Sequence, residues 1–304
     1  MKSSLRGVIP PVVTPLINSK EIDETGLKNL IEHLISGGVH GLFLLGTTGE
    51  ATSLNYNLRE KFVKLACQMN AGRVPVLVGI TDTSFNDSIA MAESYKLAGA
   101  DAVVIAPPYY IPISQSEMMQ YLEDLAPRLP LPFYLYNMPG YTKLHMTVET
   151  INFAKDLGAS GVKDSSGDML YLYSLIERFK NSPEFSIFAG TEIFLPETII
   201  HGGHGAIAGG ANMFPRFFVD MYEASVAGDL EKIKLHHKIM MKIYNTIYTV
   251  GKTTSRYTLG VKSALSVMGI CSDYAAQPLH KFDDEQRKKM EQFIIEIKEL
   301  LPYN

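Results

Sequence analysis

The feature that most constrains the fold of this sequence is a series of eight short apolar runs separated by segments with helical periodicity. The runs lie at residues 8–13, 41–45, 74–80, 101–106, 133–136, 159–163, 185–189 and 205–208. Between them apolar residues recur three or four positions apart, as Leu27, Leu30, Ile31 and Leu34 do. Alternating strands and helices indicate parallel strands with right-handed crossovers. Eight such units favour an α/β fold of the (β/α)8 TIM-barrel type, with a doubly wound sheet as the alternative.

The pattern changes after Gly210, where only helical segments follow, at about 215–227, 230–249, 258–268 and 283–301. We therefore expect a catalytic barrel over residues 1–225 and a C-terminal helical extension, residues 226–304, packed on the barrel. No linker rich in Pro, Ser or Gly separates the two. A chain of 304 residues that is 46% hydrophobic can bury a core of this size.

The net charge and the cysteine content argue against several classes of binding partner and site. The formal net charge is −4, so no basic surface is expected for nucleic acid or an anionic membrane. No stretch has the length and apolarity of a membrane span or of a leader sequence. With only Cys67 and Cys271, neither a disulfide framework nor a thiolate metal cluster is expected, which fits a reducing, cytoplasmic compartment. We expect a soluble protein that acts on a small molecule.

A single lysine stands where the sixth apolar run ends, in Gly161-Val162-Lys163-Asp164-Ser165-Ser166-Gly167. A lysine at the end of a barrel strand faces an apolar cavity and is poorly hydrated. Desolvation favours the neutral amine, which can attack a carbonyl. The position predicts Schiff-base formation at Lys163. The structural alternative is an ion pair between Lys163 and Asp164.

Polar residues follow other runs at the same end of the predicted barrel, where functional groups gather. Gly46-Thr47-Thr48-Gly49-Glu50 follows the second run and offers hydroxyl and backbone N–H donors to a small carboxylate. Pro108-Tyr109-Tyr110 follows the fourth run, and Tyr136-Asn137-Met138-Pro139 ends the fifth. Each motif alone is compatible with a structural role. Their joint position beside Lys163 indicates a catalytic site.

Together with Gly205-Ala206-Ile207, these motifs resemble the pyruvate-dependent class I aldolases of the dihydrodipicolinate synthase/N-acetylneuraminate lyase family. The motifs follow in the same order, and the similarity extends from about Ile9 to the C-terminal helices. The resemblance implies a Schiff base between Lys163 and pyruvate or another 2-keto acid. It implies that Tyr136 carries protons as acid and base, and that Thr47 and Thr48 bind the keto-acid carboxylate.

The resemblance also implies features beyond one subunit. Tyr110 is expected to reach across a dimer interface and complete a relay with Thr47 and Tyr136 of the neighbouring subunit. The enzyme is expected to be a homotetramer, built as a dimer of dimers. The covalent Schiff base takes the role of a cofactor, so no metal or other cofactor is expected. Ile207, from the last motif, is expected to contact the substrate.

The second substrate is where the sequence departs from dihydrodipicolinate synthases. Those enzymes usually carry an arginine two positions after the proline of the Tyr-Asn-x-Pro motif, but here Tyr141 occupies that position. Replacing a bidentate carboxylate clamp by a phenol is expected to weaken recognition of a dicarboxylate product by roughly 2–5 kcal/mol where the carboxylate is then buried without a partner. After the seventh run, Gly190-Thr191-Glu192 offers a hydroxyl and a carboxylate to a polyol chain.

The first hypothesis is therefore retro-aldol cleavage of a 2-keto-3-deoxy sugar acid, or of a sialic-acid-like substrate, to pyruvate and an aldehyde. Lys143 could supply a cation for an acidic group and keeps open the alternative of 4-hydroxy-tetrahydrodipicolinate synthesis from pyruvate and aspartate semialdehyde. A carbon–oxygen lyase that dehydrates keto-deoxy sugar acids also remains. A non-catalytic keto-acid-binding protein is the alternative of another class.

Overall fold

The computed structural model describes residues 4–302. Its strands are β1 Gly7–Val8, β2 Leu16–Asn18, β3 Glu21–Ile22, β4 Leu42–Leu44, β5 Val76–Gly79, β6 Ala102–Ile105, β7 Phe133–Asn137, β8 Gly161–Asp164, β9 Ser186–Ala189 and β10 Gly205–Ala206. Its α-helices are α1 Glu24–Ser36, α2 Tyr56–Asn70, α3 Phe85–Ala98, α4 Gln115–Leu125, α5 Pro139–Thr142, α6 Val148–Asp156, α7 Met169–Phe179, α8 Leu195–Ile200, α9 Pro215–Ala227, α10 Leu230–Thr246, α11 Arg256–Val267 and α12 Asp284–Leu300.

Eight parallel strands form the central sheet in the order β1-β10-β9-β8-β7-β6-β5-β4. An isolated parallel bridge between Pro11 and Phe43 joins the segment after β1 to β4. Two backbone hydrogen bonds support this contact: Val12 N donates to Phe43 O at 2.9 Å, and Phe43 N donates to Pro10 O at 3.0 Å. The strands therefore curl into a closed (β/α)8 barrel, and the predicted fold class is confirmed.

All eight apolar runs coincide with strands of this barrel. The first run is only partly regular, because Pro10 and Pro11 have no backbone N–H to donate to a neighbouring strand. A short antiparallel hairpin, β2 with β3, was not predicted from the sequence.

Capping residues mark where several of the helices begin and end. Asp23 precedes α1 and its side chain accepts a hydrogen bond from Gly26 N at 2.8 Å. Ser84 caps α3 in the same way through Asp87 N. Gly99 ends α3 with a φ of +100°, a left-handed conformation that favours glycine. Asp23 and Ser84 thus fix where α1 and α3 begin, and Gly99 ends α3 just before β6.

The core has two layers, one on each face of the barrel sheet. Outside, the strands pack against the helices. Inside, a separate apolar cluster fills the barrel with side chains from several strands: Ile9, Phe43, Leu77, Val104, Tyr134, Tyr136, Phe188 and Ile207. The barrel interior is therefore a packed floor beneath the C-terminal ends of the strands.

The C-terminal helices share the outer core with the barrel, since buried side chains from Val8 to Ile297 form one continuous cluster. Helix α9 runs across residue 225, where the sequence predicted the barrel to end. The division at 225 stays a prediction. Among residues 4–302, no helix combines the length and the apolar composition that crossing a membrane requires.

Candidate active site

Lys163 lies on β8 with its side chain inside the barrel, and 5% of the residue is exposed. Its Nζ lies 3.9 Å from the centre of the Tyr136 ring and 5.1 Å from the centre of the Phe43 ring. Aromatic faces at these distances attract an ammonium group. Strand residues alternate between faces, so Asp164 points outward. Its carboxylate accepts hydrogen bonds from Asn137 Nδ2 and Ser166 Oγ, each at 2.8 Å. The alternative of a Lys163–Asp164 ion pair is therefore wrong.

Tyr136 lies beside Lys163 because β7 and β8 pair in a register that sets the two residues opposite each other. The Tyr136 hydroxyl lies 3.3 Å from Thr47 Oγ1, in the loop after β4. Burial acts to raise the pKa of Tyr136, but the charge of Lys163 and hydrogen bonds, including that of Thr47, outweigh it. The net effect lowers the pKa of Tyr136 below its ordinary value of 10.0, which suits a phenol that carries protons.

A cavity of about 380 Å³ opens above these residues, at the C-terminal ends of the strands. Thr47, Tyr136 and Tyr141 are among its lining residues. Further hydroxyl groups come from Thr52, Ser53, Thr81, Thr254, Ser255 and Thr258. Among residues 4–302, the side chains that line this cavity include no arginine and no lysine. Apolar residues such as Phe43 and Leu279 and the acidic Glu50 complete the lining. Lys163 is not itself among the lining residues, but it contacts Tyr136, which is.

The loop after β4 carries the predicted carboxylate-binding pair. Thr47 lines the cavity, whereas Thr48 is buried. Leu45 and Glu50 flank the loop, and both have left-handed backbone conformations, with φ of 55° and 57°. Such conformations are uncommon for residues other than glycine and cluster at functional sites.

The short helix α5 carries Tyr141 to the rim of the cavity, where the residue is half exposed. Lys143 ends this helix, and its Nζ donates a hydrogen bond to Gly140 O at 3.0 Å on the surface. Lys143 is not among the cavity-lining residues. The position that would hold an arginine in a synthase thus presents a phenol.

The end of β9 contributes in a different way from that expected. A Cβ atom on Gly190 would lie 1.9 Å from Ser165 Oγ, so this glycine lets β9 approach the loop that follows Lys163. Thr191 is partly buried and does not line the cavity. The Glu192 carboxylate is buried and accepts hydrogen bonds from Gly210 N at 2.7 Å and from the Tyr248 hydroxyl. Burial raises the pKa of Glu192. Both of its oxygens are used inside the protein, so this carboxylate does not face the cavity.

Two further predicted residues differ in their exposure. Ile207 is buried in the barrel interior, in the same apolar cluster as Tyr136 and Phe43. Tyr110, in contrast, is 84% exposed, and Ile111 beside it is 72% exposed. Within one subunit Tyr110 does not line the cavity.

Residues 4–297 match the family model described as the Dihydrodipicolinate synthetase family. The chain belongs to this family. Its members are pyruvate-dependent lyases and aldolases. The family resemblance read from the sequence motifs is thereby confirmed.

Three named family members are similar to this chain in sequence or in structure. It is similar to the 4-hydroxy-tetrahydrodipicolinate synthase of Methanoculleus marisnigri, with 29% identity over 292 residues, 95% of this chain and 98% of that protein. It is 33% identical over 240 residues to YagE of Escherichia coli K12, which carries the provisional name 2-dehydro-3-deoxy-D-gluconate aldolase; 78% of this chain and 80% of YagE are covered. The solved dihydrodipicolinate synthase from Bacteroides thetaiotaomicron superposes with a TM-score of 0.94 at 46% identity, covering 97% of this chain and 100% of that one.

In this member of the family, the C-terminal helices supply residues that sequence reasoning missed. Thr254, Ser255 and Thr258, around the start of α11, line the cavity, whereas the sequence predicted only that this extension packs on the barrel. No local pattern marks them, because they contact the site only through tertiary folding. Lys262, one turn further along α11, forms a buried ion pair with Glu50 of the loop after β4.

Proposed function

We propose that this protein is a Schiff-base aldolase that cleaves a 2-keto-3-deoxy sugar acid, or a sialic-acid-like substrate, to pyruvate and an aldehyde. The observation that carries the proposal is the contact between Lys163 and Tyr136, with Nζ 3.9 Å from the ring centre inside the barrel. A buried amine next to a tyrosine with a lowered pKa joins a nucleophile to a proton carrier. A purely structural lysine has no need of such a partner.

The first chemical step joins the substrate to the enzyme. The hydroxyl and backbone N–H groups of Thr47 and Thr48 bind the carboxylate, which brings C2 of the keto acid to Lys163. Lys163 passes its ammonium proton to Tyr136, and the resulting amine attacks C2 to give a carbinolamine. Return of that proton to the carbinolamine oxygen lets it leave as water, so that an iminium remains. This cation provides the electron sink that a metal or an external cofactor would otherwise supply.

The second step breaks the carbon–carbon bond. Tyr136 accepts the proton of the C4 hydroxyl, the C3–C4 electrons move into the iminium, and an aldehyde leaves behind an enamine. Protonation of C3 and hydrolysis of the iminium then release pyruvate and return Lys163 to its free form. Thr47, 3.3 Å from the Tyr136 hydroxyl, takes part in the proton relay.

Tyr110 completes this relay from a neighbouring subunit in the proposal. Its exposure, together with that of Ile111, provides an apolar surface on the loop after β6 that a second subunit can cover. The proposed assembly is a homotetramer of two such dimers. The exposed position of Tyr110 supports this role because the residue does not line the cavity of its own subunit.

The substrate assignment depends on the lining of the cavity. Several lining residues carry hydroxyl groups, and within residues 4–302 none of the lining residues is an arginine or a lysine. This lining offers hydrogen bonds to a polyol chain but no bidentate partner for a second carboxylate. The aldolase name of YagE fits this lining. The synthase name of the Methanoculleus relative supports the alternative, condensation of pyruvate with aspartate semialdehyde. Dehydration of a keto-deoxy sugar acid would start from the same iminium.

Steady-state kinetics with both substrate classes test this assignment. We expect pyruvate release from 2-keto-3-deoxygluconate or a related acid at a kcat/KM above that for condensation of pyruvate with aspartate semialdehyde. Tyr141→Arg restores a carboxylate clamp and should raise kcat/KM for aspartate semialdehyde about tenfold or more. Lys143→Ala serves as the control for a role of that surface cation. Efficient condensation by the native enzyme, lowered by Lys143→Ala, would overturn the ranking. No turnover of any keto acid, with pyruvate still bound, would indicate a binding protein.

A further inference from the structure

A buried ion pair links the C-terminal helical extension to the loop that holds Thr47 and Thr48. Lys262, on α11, and Glu50, at the end of this loop, are 212 positions apart in the chain, and their side chains are 1% and 0% exposed. Lys262 Nζ donates to a Glu50 carboxylate oxygen, to Thr14 O at 2.9 Å and to Tyr274 O at 2.6 Å. All three donors of the ammonium group are thus used.

Glu50 is held from both sides. One carboxylate oxygen accepts from Lys262, and the other accepts from Ala276 N at 3.0 Å. The residue has a left-handed backbone with a φ of 57°, which is uncommon for a glutamate. Such a conformation persists where the surroundings fix it, and here the fixing groups belong to the C-terminal part of the chain.

The same lysine also fixes the support on which the loop rests. Thr14 Oγ1 donates to Gly49 O at 2.7 Å, while Lys262 binds the carbonyl of Thr14. A Cβ atom on Gly49 would lie 2.9 Å from Val12 O, so the loop packs directly on this N-terminal segment. Lys262 therefore holds both the end of the loop and the segment beneath it.

Stability alone does not explain this arrangement. Taking two charges out of water is costly, and replacing a buried ion pair by apolar residues is often neutral or stabilising. What hydrogen-bonded charges provide in addition is a fixed direction for each bond. At this position the direction determines the backbone of residues 46–50, and with it the hydroxyl and N–H groups of Thr47 and Thr48.

We propose that Glu50 and Lys262 are positioning residues through which the C-terminal helical extension sets the geometry of the keto-acid carboxylate site. The inference rests on the proposed function, because it takes Thr47 and Thr48 as the carboxylate ligands. Neither residue touches reacting atoms. Their loss therefore weakens the binding of carbonyl compounds that carry a carboxylate, and leaves the reactivity of Lys163 toward neutral carbonyl compounds unchanged.

The test compares borohydride trapping of two carbonyl compounds at Lys163 over a range of concentrations. Pyruvate carries the carboxylate, whereas hydroxyacetone has a neutral hydroxymethyl group in its place. The variants are Lys262→Met, Glu50→Gln and the double variant, which removes both charges and leaves no buried ion without its partner. The control for a lysine-to-methionine change in the same extension is Lys242→Met, because Lys242 forms a partly exposed pair with Glu296 at 2.6 Å and neither residue lines the cavity.

We expect the half-saturating pyruvate concentration to rise about tenfold in the Lys262 and double variants, as for loss of a well-aligned charged hydrogen bond. Hydroxyacetone trapping should stay within about twofold of the native value, and Lys242→Met should match the native protein for both compounds. If both compounds lose trapping equally, or if neither changes in the folded double variant, the inference is overturned while the proposed function stands. If native protein forms no adduct with either compound, both fail.

Discussion

The Nζ atom of Lys163 lies 3.9 Å from the centre of the Tyr136 ring. The two residues face each other across the β7–β8 pair, and the phenol of Tyr136 in turn lies 3.3 Å from Thr47 Oγ1. The nucleophile, Lys163, and the proton carrier, Tyr136, are therefore adjacent but are two different residues. Mutation can remove the second function and leave the first, which makes the two steps of the proposed reaction individually testable.

Tyr136→Phe tests the proton step. Phenylalanine keeps the ring beside Lys163 but removes the hydroxyl, so iminium formation remains while general acid–base catalysis is lost. We expect kcat to fall by about 10² to 10⁴. Pyruvate should still be trapped on Lys163 by borohydride. A variant that keeps native turnover would exclude Tyr136 as the proton carrier.

Thr47→Val tests the hydrogen bond that helps to lower the pKa of Tyr136. Burial raises that pKa, and the charge of Lys163 and the hydrogen bonds lower it by more. Removing the Thr47 hydroxyl takes away one lowering contribution, so the pKa rises. The acidic limb of the pH profile of kcat should then move to higher pH. Thr150→Val, which removes a buried threonine hydroxyl on α6, controls for packing and should leave the profile in its native position.

Asp164→Asn tests a stability effect at the base of the site. Burial raises the pKa of Asp164 above 3.8, and its hydrogen bonds from Asn137 and Ser166 offset only part of that effect. The folded protein thus holds this proton more tightly than the unfolded chain. The associated stability is present below about pH 3.8 and is lost as pH rises through the folded pKa.

The amide of the Asp164→Asn variant does not ionise, so the variant does not lose stability as the pH rises through the pKa of Asp164. The melting temperature of the variant relative to the native protein should therefore increase from acidic to neutral pH, as thermal unfolding across that range would measure. Asp156→Asn, at an exposed position on α6, is the control for removal of one negative charge. A difference between variant and native protein that is constant with pH would contradict the prediction.

Tyr110 can be tested by mixing inactive subunits. If Tyr110 serves the neighbouring site, a dimer of one Lys163→Ala and one Tyr110→Phe subunit contains one site with every native group. Each variant alone should be nearly inactive, and refolding them together should restore activity. Mixing Lys163→Ala with Tyr136→Phe should restore none, because those two residues meet within one subunit. Recovery in neither mixture, although mixed oligomers form, would exclude an intersubunit role.

The strands and the helix boundaries depend on short stretches of sequence, and these parts of the fold could be predicted. Each barrel strand coincides with an apolar run, and capping side chains begin several of the helices, as Asp23 and Ser84 illustrate. Lys163 and Tyr136 were found because barrel topology brings strand ends together, so sequence order translates into position. The first strand is shorter than predicted because Pro10 and Pro11 lack N–H donors.

Contacts between distant parts of the chain left no such pattern. Glu192 was expected to face the substrate, but Tyr248, 56 positions further on, binds its carboxylate. Lys262 pairs with Glu50 across 212 positions. Glu50 closes the motif that contains Thr47 and Thr48, but nothing in that motif indicates its distant partner. Thr258 reaches the cavity in the same way. Side-chain direction at such positions is decided by tertiary packing, which one sequence does not reveal.

The central claim is that Lys163 forms a Schiff base with pyruvate. Incubation with pyruvate and borohydride, followed by peptide mass spectrometry, tests it directly. The account predicts a reduced adduct on Lys163 that is absent from the Lys163→Ala variant. An adduct on another lysine, or none in the folded native protein, would contradict it.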